Sequence, residues 1–219
     1  MSHLLYILEN EVQLAALSFL VIVYATRLVW LFRFRAGRER TYPAGSTRAG
    51  IVLSMMNVAM PWAMESIRRR PGFYAQFVVF HLGVVAAIGA TFVIPYWPEL
   101  FETIWVVRAF QVILSAAFLV GMWRLFRRIF DPRIKLISSL DDYFSLILMI
   151  LYFALALVVV PNNYHHREWP LILFFGLTAF FLIYVPFSKI CHYLYYPFTR
   201  YFLGRTMGHR GVVAKKKRL

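Results

Sequence analysis

Six histidines stand in the chain: His3, His81, His165, His166, His192 and His209. Two of them, His81 and His192, lie in apolar surroundings, where an ionisable side chain is costly and is normally paired or liganded. A neutral imidazole offers one ring nitrogen to a metal. Two imidazoles on separate helices can grip a haem iron from both faces. His81 falls about nine residues past Gly72, a depth of roughly 13 Å at 1.5 Å per residue. His192 falls about four residues before Tyr196, so the two depths differ by roughly 7 Å, which tilt or a higher start to the earlier span must absorb.

The flanks admit close packing of a flat ring. Gly83/Ala87 and Ala86/Ala90 place small residues four apart after His81, a spacing that lets a cofactor or another helix approach the backbone. Pro186 is placed to kink the chain before His192. Lys189, one turn from His192, is a candidate contact for a haem propionate. The other reading stays open: intramembrane histidines also serve as hydrogen-bonded packing residues, and Gly/Ala rows also serve helix packing. Arg108 and His165 are candidate quinone contacts, with Glu102, His166 and Glu168 nearby in sequence. Interface anchoring for Arg108 and a solvated loop for His165 are the alternatives. Cys191 reads as a small core residue. Asp141-Asp142 reads as an N-terminal helix cap.

These groups must be positioned by membrane helices. The 219 residues are 61% apolar and only 16% charged, with mean hydropathy +0.63. A soluble domain runs nearer half apolar and a quarter charged. A single cysteine leaves no disulfide framework, no Cys-based iron–sulfur or zinc site, and no covalent c-type haem. The expected fold is all-α, an integral membrane bundle of five transmembrane helices. The spans are about 12–32, 72–98, 103–123, 143–164 and 169–196, all within a membrane domain of residues 1–199. Each has roughly the length a bilayer requires. The alternation of a β-barrel is absent.

The net charge of +14 is concentrated between spans. Segment 33–70 holds eight basic residues, segment 124–135 five, and the tail 200–219 seven, including Lys215-Lys216-Lys217-Arg218. Five spans put all three on one side, so the positive-inside rule predicts the N-terminus outside and the C-terminus cytoplasmic. The charge is thus topogenic and directed to membrane lipid, not to nucleic acid. Glu9 and Glu11 precede the first span, so no cleavable signal is expected. Segment 49–66, interrupted by Pro61 and rich in methionine (Met55, Met56, Met60, Met64), is too short to span. It is expected as an interfacial helix between the first two spans, resting on headgroups or docking a cytoplasmic partner. Tyr96, Trp97, Trp105 and Trp169 form an expected outer aromatic belt.

Two stretches resemble a known family. Phe80-His81-Leu82-Gly83-Val84-Val85-Ala86-Ala87-Ile88-Gly89, ending near Pro95, is similar to the second helix of the respiratory nitrate reductase gamma subunit. Val185-Pro186-Phe187-Ser188-Lys189-Ile190-Cys191-His192 resembles its fifth helix. That family is a dihaem cytochrome b passing electrons between membrane quinone and a cytoplasmic iron–sulfur subunit. The resemblance implies that His81 and His192 are axial ligands of the haem nearer the cytoplasm. At the other pair of ligand positions this chain has Thr91 and Phe174, so the resemblance implies a single haem b. Met60–Ser66 and Ser138–Ser145 look like a sub-branch, the membrane subunits of redox complexes in sulfate-reducing prokaryotes, such as those of the high-molecular-mass cytochrome c and of dissimilatory sulfite reductase. Partners implied are a cytoplasmic iron–sulfur subunit and a periplasmic multihaem cytochrome c.

The expected role is therefore electron transfer in the cytoplasmic membrane, as a subunit and not a complete enzyme, with no nucleophile constellation, nucleotide loop or carboxylate dyad. The alternative is a haem-free membrane scaffold in such a complex. A small transporter is weakened by the lack of a broken midplane helix or inverted repeat.

Overall fold

The computed structural model describes residues 2–34, 37, 39–60, 62, 65–162 and 168–212. Among these residues the fold is all-α and contains no strand. In chain order the helices are α1 (His3–Glu9), α2 (Glu11–Arg33), α3 (Thr47–Ala59), α4 (Glu65–Arg68) and α5 (Pro71–Tyr96). They are followed by α6 (Ile104–Phe130), α7 (Pro132–Leu136), α8 (Leu140–Val159), α9 (Trp169–Tyr184) and α10 (His192–His209). Among the described residues, five helical stretches are long and apolar enough to cross a bilayer: His3–Arg33, Pro71–Tyr96, Ile104–Phe130, Leu140–Val159 and Trp169–Phe187. The chain is a multi-pass helical membrane protein.

The fifth apolar stretch differs from the continuous helix to Tyr196 that hydropathy predicts. The α-helix ends at Tyr184 and tightens into a 3-10 turn over Val185–Phe187. Pro186 supplies no N–H and its ring obstructs the preceding turn. Ser188 then turns extended (φ −104°, ψ 172°) and its N–H bonds to Val185 O. A second 3-10 turn, Lys189–Cys191, leads into α10. His192 therefore opens a new helix, and residues 200–209 of the expected tail are helical.

The chain divides into two compact units. Unit 1 comprises residues 1–24 and 75–190, and unit 2 comprises 25–74 and 191–219. In unit 1 the core is built from small residues on α5 and α6 and rings on α8 and α9: Ala87, Ala90, Ala117, Phe153, Phe174 and Phe175. A Cβ on Gly83 would collide with the Ala117 methyl, and one on Gly121 would sit 2.9 Å from Ile150. These contacts let α5, α6 and α8 approach closely, the small-residue packing by which helices associate where lipid competes for apolar surface. At the N-terminus Ser2 N–H donates to Glu168 at 2.8 Å, and Gln13 Nε2 donates to Phe175 O at 2.7 Å, fixing α1 and the start of α2 on α9.

Unit 2 is organised by an antiparallel pair, α3 against α10. Gly50 and Ser54 on one helix face Gly204 and Gly208 on the other, backbone against backbone. Ser54 Oγ donates to Arg200 O at 2.7 Å, and the Arg200 guanidinium donates back to Ser54 O at 3.1–3.2 Å. At the other end Ala44 and Gly45 N–H groups bond to His209 O at 2.8 and 3.2 Å. Arg210 pairs with Glu39 at 2.9 Å.

Candidate functional site

His81 belongs to unit 1, in the middle of the uncharged helix α5. Its Nδ1 lies 2.8 Å from Phe77 O, one turn earlier. A carbonyl only accepts, so Nδ1 carries the proton and the ring's lone pair is on Nε2. This is the tautomer that metal-bound histidines commonly adopt, with the second nitrogen donating to a backbone carbonyl. The Phe77 ring packs 4.0 Å from the imidazole and Phe80 lies edge-on at 6.2 Å. Gln76 Oε1 is buried on the same helix with no hydrogen-bond partner among the described residues.

The small-residue row after His81 serves helix packing. Gly83 abuts Ala117 and Phe153, and Ala87 and Ala90 are wholly buried in the unit 1 core.

His192 belongs to unit 2. It is exposed, in the first turn of α10, with Tyr193 edge-on at 6.4 Å. Cys191 precedes it as N-cap, half-buried, with its Sγ 3.9 Å from Arg27 Nη1. The same guanidinium nitrogen reaches Tyr195 OH at 3.4 Å.

Lys189, the candidate propionate contact, is engaged by the start of α8. Its Nζ lies 2.9 Å from Asp142 Oδ2 and 2.8 Å from Ser139 Oγ. Asp142 also accepts the Ser139 N–H at 2.8 Å, closing a capping box, and stands 3.6 Å from Arg128. Asp141 accepts the Tyr184 hydroxyl at 2.6 Å, and that hydroxyl is 2.9 Å from Ser145 Oγ. So Asp142 caps α8, as its position in sequence suggests, while Asp141 ties α8 to the end of α9.

Thr91 and Phe174, the positions that the resemblance pairs as lost ligands, both touch Tyr152. The Tyr152 hydroxyl is 3.3 Å from Thr91 Oγ1 and 3.4 Å from Thr178 Oγ1. Its ring stacks on Phe174.

Of the candidate quinone contacts, only Arg108 falls among the described residues. Arg108 is exposed in the first turns of α6 and donates to Gln111 on its own helix at 3.2 Å. His165 and His166 lie outside the described residues. Glu168, half-buried and bound by Ser2, is held below the usual carboxylate range by that hydrogen bond. Among the described residues no three His, Cys, Asp or Glu side chains gather as a metal site.

Two features escaped sequence reading. The Gly204–Gly208 and Gly50–Ser54 pairs carry a small-residue spacing that was visible, yet they lie outside the obvious spans. Tyr152 was hidden in a run of aliphatic residues, although a phenol in an uncharged span must find a partner. No protein-family model matches the chain, and comparison with curated proteins finds no match.

Proposed function

We propose that the chain is a cytochrome b subunit of the cytoplasmic membrane that relays electrons between the quinone pool, or a periplasmic cytochrome c, and a cytoplasmic iron–sulfur subunit. His81 and His192 would be the axial ligands of one haem b. The observation that carries this reading is His81 itself: an imidazole in an uncharged apolar helix, held by Phe77 O in the tautomer that presents Nε2 to a metal. The motif resemblance around His81 and His192 supplies the second ligand. A bound haem would contribute the one-electron redox couple, and the chain would set its orientation and surroundings. Phe77 and Phe80 would shield the His81 side from water. The positive-inside pattern supports an outer N-terminus and a cytoplasmic C-terminus.

A second reading is favoured by the packing of unit 1. Gly83, Ala87 and Ala90 are consumed in helix contacts, and Lys189 is committed to Asp142. A haem-free scaffold would need no more than this.

One experiment separates them: a reduced-minus-oxidised visible spectrum of the detergent-purified complex, with haem quantified per chain, repeated on His81→Ala and His192→Ala. One b-type haem per chain, lost in both variants, is the expected result. Absence of a b-type signal, or a signal indifferent to both substitutions, would leave the scaffold.

A further inference from the structure

The charge of this chain is divided unevenly between its two units. Segments 25–74 and 191–219 hold sixteen of the twenty-four Lys and Arg residues but only two of the ten acids, Glu39 and Glu65. The remainder of the chain holds eight of each and is neutral. Both acids of unit 2 are already engaged: Glu65 with Arg69, and Glu39 with Arg210. The unit therefore has a large cationic excess that its own carboxylates cannot balance.

The fold gathers part of that excess at one end of the α3–α10 pair. Gly45 lies against Gly208 and Gly211, and Gly50 against Gly204 and Gly208. Arg48 on α3 and Arg205 on α10 therefore belong to the same end, where Arg40 and Arg210 also enter beside Glu39. Arg40, Arg48 and Arg205 are exposed. Along the same two helices, Val52, Leu53, Met55 and Met56 on α3 and Tyr201, Phe202 and Leu203 on α10 are exposed apolar side chains. The close backbone contact turns these groups outward, because the facing sides are occupied by Gly50, Ser54, Gly204 and Gly208. An element with apolar flanks and a cationic end suits the bilayer interface. Its apolar groups enter the acyl boundary while guanidinium groups stay at headgroup level.

We infer that the Arg48–Arg205 end of the α3–α10 pair binds the phosphodiester headgroups of anionic phospholipids in the bilayer. Arginine suits this task because its planar fork donates two parallel hydrogen bonds to a phosphate. Polybasic segments beside a membrane gain affinity with each cation near an anionic surface. The inference does not depend on a haem.

The test uses the full chain in nanodiscs of phosphatidylcholine mixed with a minority of phosphatidylglycerol. Lipids retained after gentle release are counted by native mass spectrometry. The wild type is expected to retain phosphatidylglycerol above its share in the disc. Arg48→Gln/Arg205→Gln should reduce that retention roughly tenfold. Arg48→Lys/Arg205→Lys, which keeps the charge but loses the planar fork, should fall between the wild type and the double Gln variant, and Arg69→Gln, whose partner is Glu65, should leave retention unchanged. Circular dichroism checks that each variant is helical. If the double Gln variant is not, the two single variants are read in its place. Equal retention of both lipids by the wild type would overturn the inference, as would retention indifferent to the Gln substitutions. Displacement of the bound lipid by soluble glycerol phosphate would assign the site to a free anion and overturn it as well.

Discussion

The Tyr152 ring lies flat on Phe174, with centroids 5.3 Å apart and planes 8° from parallel. Its hydroxyl points to Thr91 at 3.3 Å. One α8 side chain thus bridges α5 and α9 through the very two positions where the resemblance expects an absent pair of ligands. Tyr152 is 4% exposed and Phe174 wholly buried. Aromatic and hydroxyl groups fill the space between these positions.

The ring of Tyr152 should matter far more than its hydroxyl. Thr91 also donates to Ile88 O at 2.8 Å and Thr178 to Phe174 O at 2.8 Å, so both keep a partner when the phenol is removed. Tyr152→Phe is expected to cost about 1 kcal/mol or less. Tyr152→Ala leaves a cavity against Phe174 and Phe181 and should cost about 3–5 kcal/mol. Thermal unfolding of the two variants in one detergent gives the comparison. Equal losses would mean that the hydroxyl network, not ring packing, holds the site.

The spans were legible because length and hydropathy are blunt requirements that a bilayer imposes on any helix. His81 was legible for the same reason, as a costly group in an uncharged run. The end of the fifth span was not. Pro186 announces a kink, but whether the helix runs on or ends there depends on Ser188 adopting an extended backbone and on Lys189 being captured by Asp142, 47 residues earlier. Pairing at that distance leaves no local trace. The α3–α10 pair was hidden in a similar way: its glycines were visible, but not the partner each would meet.

Asp142 and Lys189 should differ in cost although they form one ion pair. Asp142 accepts from Ser139 N–H, Ser139 Oγ and Lys189, and lies beside Arg128. Asp142→Ala removes the N3 half of the α8 capping box as well as the pair, while the N-cap residue Ser139 stays, at about 1–2 kcal/mol. Lys189 is 58% exposed, so Lys189→Gln removes a largely solvated pair, at about 0–1 kcal/mol. Melting temperatures order the two. If haem is present, its amount per chain should be unchanged in Lys189→Gln, because the ammonium is committed to Asp142. Loss of haem in that variant would restore Lys189 as a propionate contact.

Acid should loosen the junction between Glu39 and α10. The Thr41 hydroxyl, 3.0 Å from Glu39 Oε1, and the Arg210 guanidinium hold this carboxyl below its usual value of 4.5. A depressed folded value means that the contribution is complete above the unfolded value and disappears as pH falls through the folded one. Proteolysis between residues 205 and 212 should therefore be constant from neutral pH down to the ordinary glutamate range and rise below it. An acid-active protease reports this, with Glu39→Gln as the reference. The variant should cleave at a rate independent of that titration. A rise of the same size and at the same pH in Glu39→Gln would show that the Glu39 carboxyl does not hold this junction.

The tightest constraint in unit 2 is steric. A Cβ at Gly204 would fall 2.6 Å from Gly50 O and 2.9 Å from Ile51 Cα, and one at Gly208 would fall 2.5 Å from Ser46 O. Backbone atoms cannot rotate away as a flexible side chain does, so the helices must separate. Gly204→Ala is expected to cost about 1–3 kcal/mol, in the range of an overpacked core, and Gly204→Leu more. Separation would also break the reciprocal Ser54–Arg200 bonds, since both depend on the same approach. Ser54→Ala removes only one of these bonds and leaves the glycine contact intact, at about 1 kcal/mol. Amide exchange of α10 should therefore accelerate strongly in Gly204→Ala, mildly in Ser54→Ala, and not at all in Gly176→Ala, where an added methyl meets nothing within 4 Å. Comparable exchange in all three would show that α10 does not depend on this contact.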